Sequence, residues 1–126
     1  MNPKQLFLID GLGALLSAFL LGVVLVRYEE FFGIPHQTLY FLALFPCLFA
    51  LYDLYCYRGK RKDLGPFLRG IGIANILYCG LSLGLAFYHG EALTYFGWTY
   101  IIIEIMVVIT LAVLELKVAR KAIRSI

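Results

Sequence analysis

Four apolar stretches, each about twenty residues long and separated by short charged connections, constrain this chain more than any other feature. Wound as helices at about 1.5 Å per residue, such stretches match the hydrocarbon thickness of a bilayer. They run from about Leu6 to Val26, Thr38 to Tyr57, Phe67 to Tyr88 and Thr94 to Leu116. The chain has 126 residues, of which 62% are hydrophobic and only 15% charged. A water-soluble domain needs about a quarter of its residues charged to cover its surface. Lipid is therefore the expected solvent, and the expected fold is all-α: one domain, an integral membrane four-helix bundle. The first stretch is too long for the apolar core of a secretory signal and has no convincing A-x-A site before Arg27, so it reads as the first span.

The connections agree with this reading. RYEEFFGIPHQ carries charge together with Gly33 and Pro35, RGKRKDLGP is short and strongly basic, and HGEAL is a tight turn. Pro46 falls inside the second stretch and predicts a local kink, while Pro66 suits the first turn of the third.

With four spans, the N-terminus, the second connection and the C-terminus share one side. Ten of the eleven basic residues lie there: Lys4, Arg58, Lys60, Arg61, Lys62, Arg69, Lys117, Arg120, Lys121 and Arg124. Arg27 alone lies opposite. The positive-inside rule predicts cytoplasmic termini, and compact connections without a targeting segment predict a bacterial inner membrane. Tyr28, Phe31, Phe32, Tyr88, Tyr95 and Trp98 mark the outer boundary, and Tyr52, Tyr55 and Tyr57 the inner one.

Five polar side chains interrupt the spans: Asp10, Asp53, Asn75, Glu104 and Glu115. Asp10 and Asp53 lie about 7 Å from the cytoplasmic ends of their helices and Asn75 about 9 Å beyond Arg69, so antiparallel threading brings the three to a similar level. Glu104 lies about 15 Å into the fourth helix, where an ionised carboxylate is most costly. Glu115 follows eleven residues later on the same face, where it either joins that stripe or snorkels toward Lys117 and Arg120. No lysine or arginine occupies the centre of any span. Glu104 must then be neutral, hydrogen-bonded to Tyr, Ser or Asn, hydrated, or engaged with a cation or a second protein. Arg58 is within reach of Asp53.

Small and polar residues align with these acids: Asp10, Gly13, Ala14, Ser17 and Ala18; Ala43, Pro46, Ala50 and Asp53; Asn75, Cys79, Ser82 and Ala86, with Tyr78 on the flank. Small residues permit close helix approach, and polar ones escape lipid by facing neighbours. A polar pocket opening toward the cytoplasm is expected. Its candidate ligand-binding or proton-coupling residues are Glu104, Asp10, Asp53, Asn75, Tyr78 and Glu115. Structural roles remain open for Asp10, Asp53 and Glu115 as interface-depth polar groups, and for Asn75 as an interhelical hydrogen bonder. His36 and His89 read as solvated loop residues.

Other chemistry lacks support. Cys47, Cys56 and Cys79 form no CxxC pair and show no metal-ligand spacing, so no disulfide framework or metal site is expected. There is no dinucleotide fingerprint, P-loop, nucleophile elbow or HExxH helix, and no cofactor is implied. The net charge of +3 comes from residues beside apolar segments, which fits membrane orientation rather than nucleic acid. In size and helix count the chain resembles the small multidrug-resistance transporters. Those proteins use a glutamate in the first helix and often have a weak charge bias, whereas this chain has Asp10 there and a strong bias, which disfavours an antiparallel dimer. Sterol-isomerase-like and DoxX-like membrane proteins share the outline.

Three functions are carried forward. The leading one is a binding or transport bundle that holds a small cationic, protonatable or amphiphilic molecule near Glu104. The second is an accessory subunit pairing with another membrane protein or with copies of itself. The third is an enzyme acting on a lipid-soluble substrate, which requires two carboxyl groups converging on one cavity.

Overall fold

The computed structural model describes residues 3–59 and 64–124. Lys60, Arg61 and Lys62, which contribute to the basic second connection, lie outside the described residues. All regular structure among the described residues is helical. Four long helices account for most of it: α1 (Pro3–Arg27), α2 (His36–Arg58), α3 (Gly65–Tyr88) and α4 (Tyr95–Arg124). Helices α1, α2 and α3 are long and apolar enough to cross a membrane.

The local chemistry explains most of the boundaries. In α1 the chain widens into a π-helical turn at Leu20–Val24, where the Leu25 N–H reaches back to the Leu20 carbonyl. The helix breaks at Tyr28, and a single further turn, Glu29–Phe32, occupies what reads as loop in the sequence. Gly33 ends that turn in the left-handed conformation (φ 76°), which favours glycine. A Cβ there would also lie 2.1 Å from the Ala92 carbonyl oxygen.

Pro35 precedes α2 in an extended conformation, and Pro66 occupies the first turn of α3, where its missing N–H costs no intrahelical bond. Thr94 begins α4 by accepting the Gly97 N–H at 3.2 Å and donating to the Phe31 carbonyl at 2.6 Å. Helix α4 continues eight residues beyond Leu116, where the apolar run ends, because Ala119 is buried against the start of α3.

Helix α1 packs chiefly along α2, and α3 along α4; the two pairs touch each other more lightly. Glycines set both close approaches. A Cβ on Gly11 would sit 3.3 Å from Asp53 Cβ, and one on Gly72 would sit 3.1 Å from the Leu116 side chain. Gly65 is tighter still, 2.9 Å from Ile123 Cγ1.

The outer surface of the long helices is apolar: Leu12, Leu15, Leu16, Leu44, Leu48, Leu51, Leu77, Met106 and Val107 are all about half exposed or more. The interior, by contrast, holds Asp10, Asp53, Asn75, Ser82, Glu104 and Glu115. That inversion of the water-soluble pattern belongs to a molecule embedded in lipid. Two apolar clusters bracket the polar layer. Leu6, Phe7, Cys56, Leu68, Ile71 and Ala119 close the end bearing the termini, while Leu21, Leu25, Leu39, Leu42 and Ile101 fill the other end.

Candidate functional site

Two polar centres occupy the layer between the apolar clusters. The first is built around Glu104 of α4, which is 9% exposed. Three hydroxyls donate to its carboxyl: Ser17 from α1 to Oε2 at 2.6 Å, Tyr100 from the preceding turn of α4 to Oε2 at 2.6 Å, and Tyr78 from α3 to Oε1 at 2.8 Å. The Tyr78 ring is braced by two rings of α2, Phe45 in a tilted contact and Phe49 edge-on, with centroids 6.2 and 6.0 Å away. All four helices thus fix one carboxyl group.

A carboxylate offers about four acceptor positions. Three are filled here, and Oε1 accepts from Tyr78 alone. The acid is well solvated by the protein yet retains capacity for another donor or a cation.

The second centre joins three helices through Asn75 of α3. Its Nδ2 donates to Asp10 Oδ1 of α1 and to Glu115 Oε1 of α4, each at 2.9 Å. Asp53 of α2 and Glu115 are the acidic neighbours of Asp10. Carboxylate oxygens only accept. Asp10 Oδ2, Glu115 Oε2 and both oxygens of Asp53 accordingly find no donor among the described residues. When one of two facing carboxyls carries a proton, that proton is the donor its neighbour lacks. Arg58 does not meet Asp53, which is fully buried. Glu115 does not snorkel; it too is fully buried and faces Asn75. Among the described residues, no three Asp, Glu, His or Cys side chains converge as a metal site.

A cavity of about 320 Å³ runs alongside these centres, lined by Asp10, Asn75, Ser17, Tyr78, Tyr100 and Glu104 together with Pro46, Phe49 and aliphatic residues of α1 and α4. Among the described residues, no basic side chain lines it. It does not open toward the termini, as the sequence leads one to expect, because Leu6, Phe7 and Leu68 are packed there without solvent exposure. Its mouth lies between α1 and α4, where the lining residues Leu16, Ile103 and Val107 are each more than half exposed. The gap follows from the light contact between the two helix pairs. Asp53 is absent from this lining and borders a separate cavity of about 370 Å³ between α1 and α2.

Of the sequence-derived candidates, Glu104 and Tyr78 form one centre; Asp10, Asn75 and Glu115 form the other, with Asp53 beside Asp10. Tyr100 and Ser17 complete the Glu104 site. Tyr100 stands four residues before Glu104, a spacing that places both side chains on one helix face. Ser17 belongs to the small-residue stripe of α1. His36 and His89 are tied down: His36 Nε2 lies 2.8 Å from Glu29 Oε2, and His89 Nε2 lies 3.0 Å from Thr38 Oγ1. No known family, curated protein or solved structure matches the chain.

Proposed function

We propose that the protein is a four-span helix bundle, with α4 as the fourth span and both termini cytoplasmic in a bacterial inner membrane, and that it binds a small organic cation with an apolar body. The observation that carries this reading is the Glu104 carboxyl, held by three hydroxyls at the wall of a cavity that contains no cation of its own. Phe49, Tyr78 and Tyr100 line the cavity, and aromatic rings suit an onium group. A mouth in contact with acyl chains suits a ligand that arrives from the bilayer.

The test uses radiolabelled benzyltrimethylammonium, whose charge is permanent, with its uncharged carbon isostere neopentylbenzene as competitor. Purified protein in nanodiscs should bind the cation, and the isostere should displace it poorly. Glu104→Gln should lower affinity by about 10-fold or more, the loss of one good charge interaction. The groups facing Glu104 are Ser17 of α1, Tyr78 and Cys79 of α3 and Tyr100 of α4; α2 contributes only Pro46 and Phe49 to this cavity. Unchanged affinity in Glu104→Gln would refute the proposal.

One observation favours a second reading, acid–base catalysis on a lipid-soluble substrate: Asp10 and Glu104 line the same cavity. Asp10→Asn separates the two. A binding site centred on Glu104 keeps most of its affinity in that variant, whereas a carboxyl pair acting together loses as much as in Glu104→Gln.

A further inference from the structure

At the end of the molecule where α3 begins and α4 ends, a groove of about 510 Å³ is lined by Arg69, Lys117, Arg120 and Arg124 together with Val113, Leu116 and Ile123. The α4 residues recur at three- and four-residue intervals and so form one face of the helix. Gly65 and Gly72 draw α3 against that face, and Arg69, lying between them in sequence, enters the same groove. Four cations thus line one depression with no acid among the described residues of its wall. None of the four makes an ion pair or hydrogen bond with a described residue. Like charges gathered this way repel unless an anion sits among them. The three apolar residues extend the groove along α4 over about 16 Å from Val113 to Arg124.

We propose that this groove binds an anionic phospholipid, its phosphate among Arg69, Lys117, Arg120 and Arg124 and the upper part of an acyl chain against Val113 and Leu116. Guanidinium forks match phosphate oxygens in pairs. A basic recess at the boundary of apolar spans lies at headgroup depth. The apolar wall selects a lipid over a free ion. This site is independent of the Glu104 cavity and shares no lining residue with it.

The full-length protein in a maltoside micelle tests it by calorimetric titration with dioctanoyl-phosphatidylglycerol, dioctanoyl-phosphatidylcholine and inorganic phosphate. Phosphatidylglycerol should bind saturably and at least about 10-fold more tightly than phosphatidylcholine. Arg69→Gln and Arg120→Gln should each weaken it about 5-fold, and Arg120→Lys less, because it keeps the charge and loses only the fork. Arg58→Gln removes one positive charge from the same end but outside the groove, and should leave the affinity unchanged. Equal binding of the two lipids would overturn the site. So would an Arg58→Gln loss as large as that of Arg120→Gln, which marks a diffuse field, or inorganic phosphate binding as tightly as the anionic lipid.

Discussion

Asn75 shows how much depends on a single side chain here. Its amide is the donor between Asp10 and Glu115, and several oxygens in that cluster already lack a donor. Replacing Asn75 with alanine leaves two further buried carboxyl oxygens without a partner, an expected cost of about 1–3 kcal/mol. Reversible unfolding in mixed micelles reads that loss directly, and an undiminished stability would mean that the amide is not the link. Glu104 presents the opposite case, since its three hydroxyl donors come from separate positions and share the task. The acids were legible in the sequence because a charge inside an apolar run is conspicuous. Their partners were harder to see. Ser17 looks ordinary in such a helix, and only the threading of α1 against α4 brings its oxygen onto the carboxyl, whereas Tyr100 reaches Glu104 from one turn away on the same helix.

At the scale of elements, glycine decides how near two helices lie. Gly72 leaves room for Leu116, whereas Gly80 and Gly84 on the same helix face open space. Gly72→Val should force α3 and α4 apart at a cost of about 1–3 kcal/mol, as overpacking does elsewhere. Gly80→Ala and Gly84→Ala should be neutral to within about 0.5 kcal/mol. The same unfolding assay compares all three, and equal effects at the three sites would contradict the packing described. The helices themselves follow from apolar runs of spanning length. The π-helical turn at Leu20–Val24 and the extra turn at Glu29–Phe32 do not, because neither leaves a periodic signature over so few residues. The extension of α4 past Leu116 was hidden for another reason: its tail reads as charged, and only the burial of Ala119 against α3 shows why the helix continues.

For the whole molecule, the membrane arrangement can be tested one residue at a time. In a background with Cys47, Cys56 and Cys79 replaced by alanine, single cysteines at Lys4, Glu91 and Arg124 should label with a membrane-impermeant maleimide from opposite sides. Lys4→Cys and Arg124→Cys should react from the cytoplasmic face and Glu91→Cys from the other. Labelling of Glu91→Cys and Arg124→Cys from one side would remove α4 as a span. The charge asymmetry that motivates this expectation is a property of the whole chain, so it was legible without coordinates. The direction in which the cavity opens was not. It depends on how closely the two helix pairs meet, and hydropathy carries no information about that.

The seam between α1 and α4 has a consequence for any guest the protein receives. A molecule reaching Glu104 by that route leaves oil rather than water, so its apolar part is already dehydrated on arrival. Lengthening its hydrocarbon tail would enrich it in the surrounding leaflet without improving its grip on the protein. Discrimination among guests would then rest on the charged head and the space around it, with greasiness governing only how many molecules wait outside.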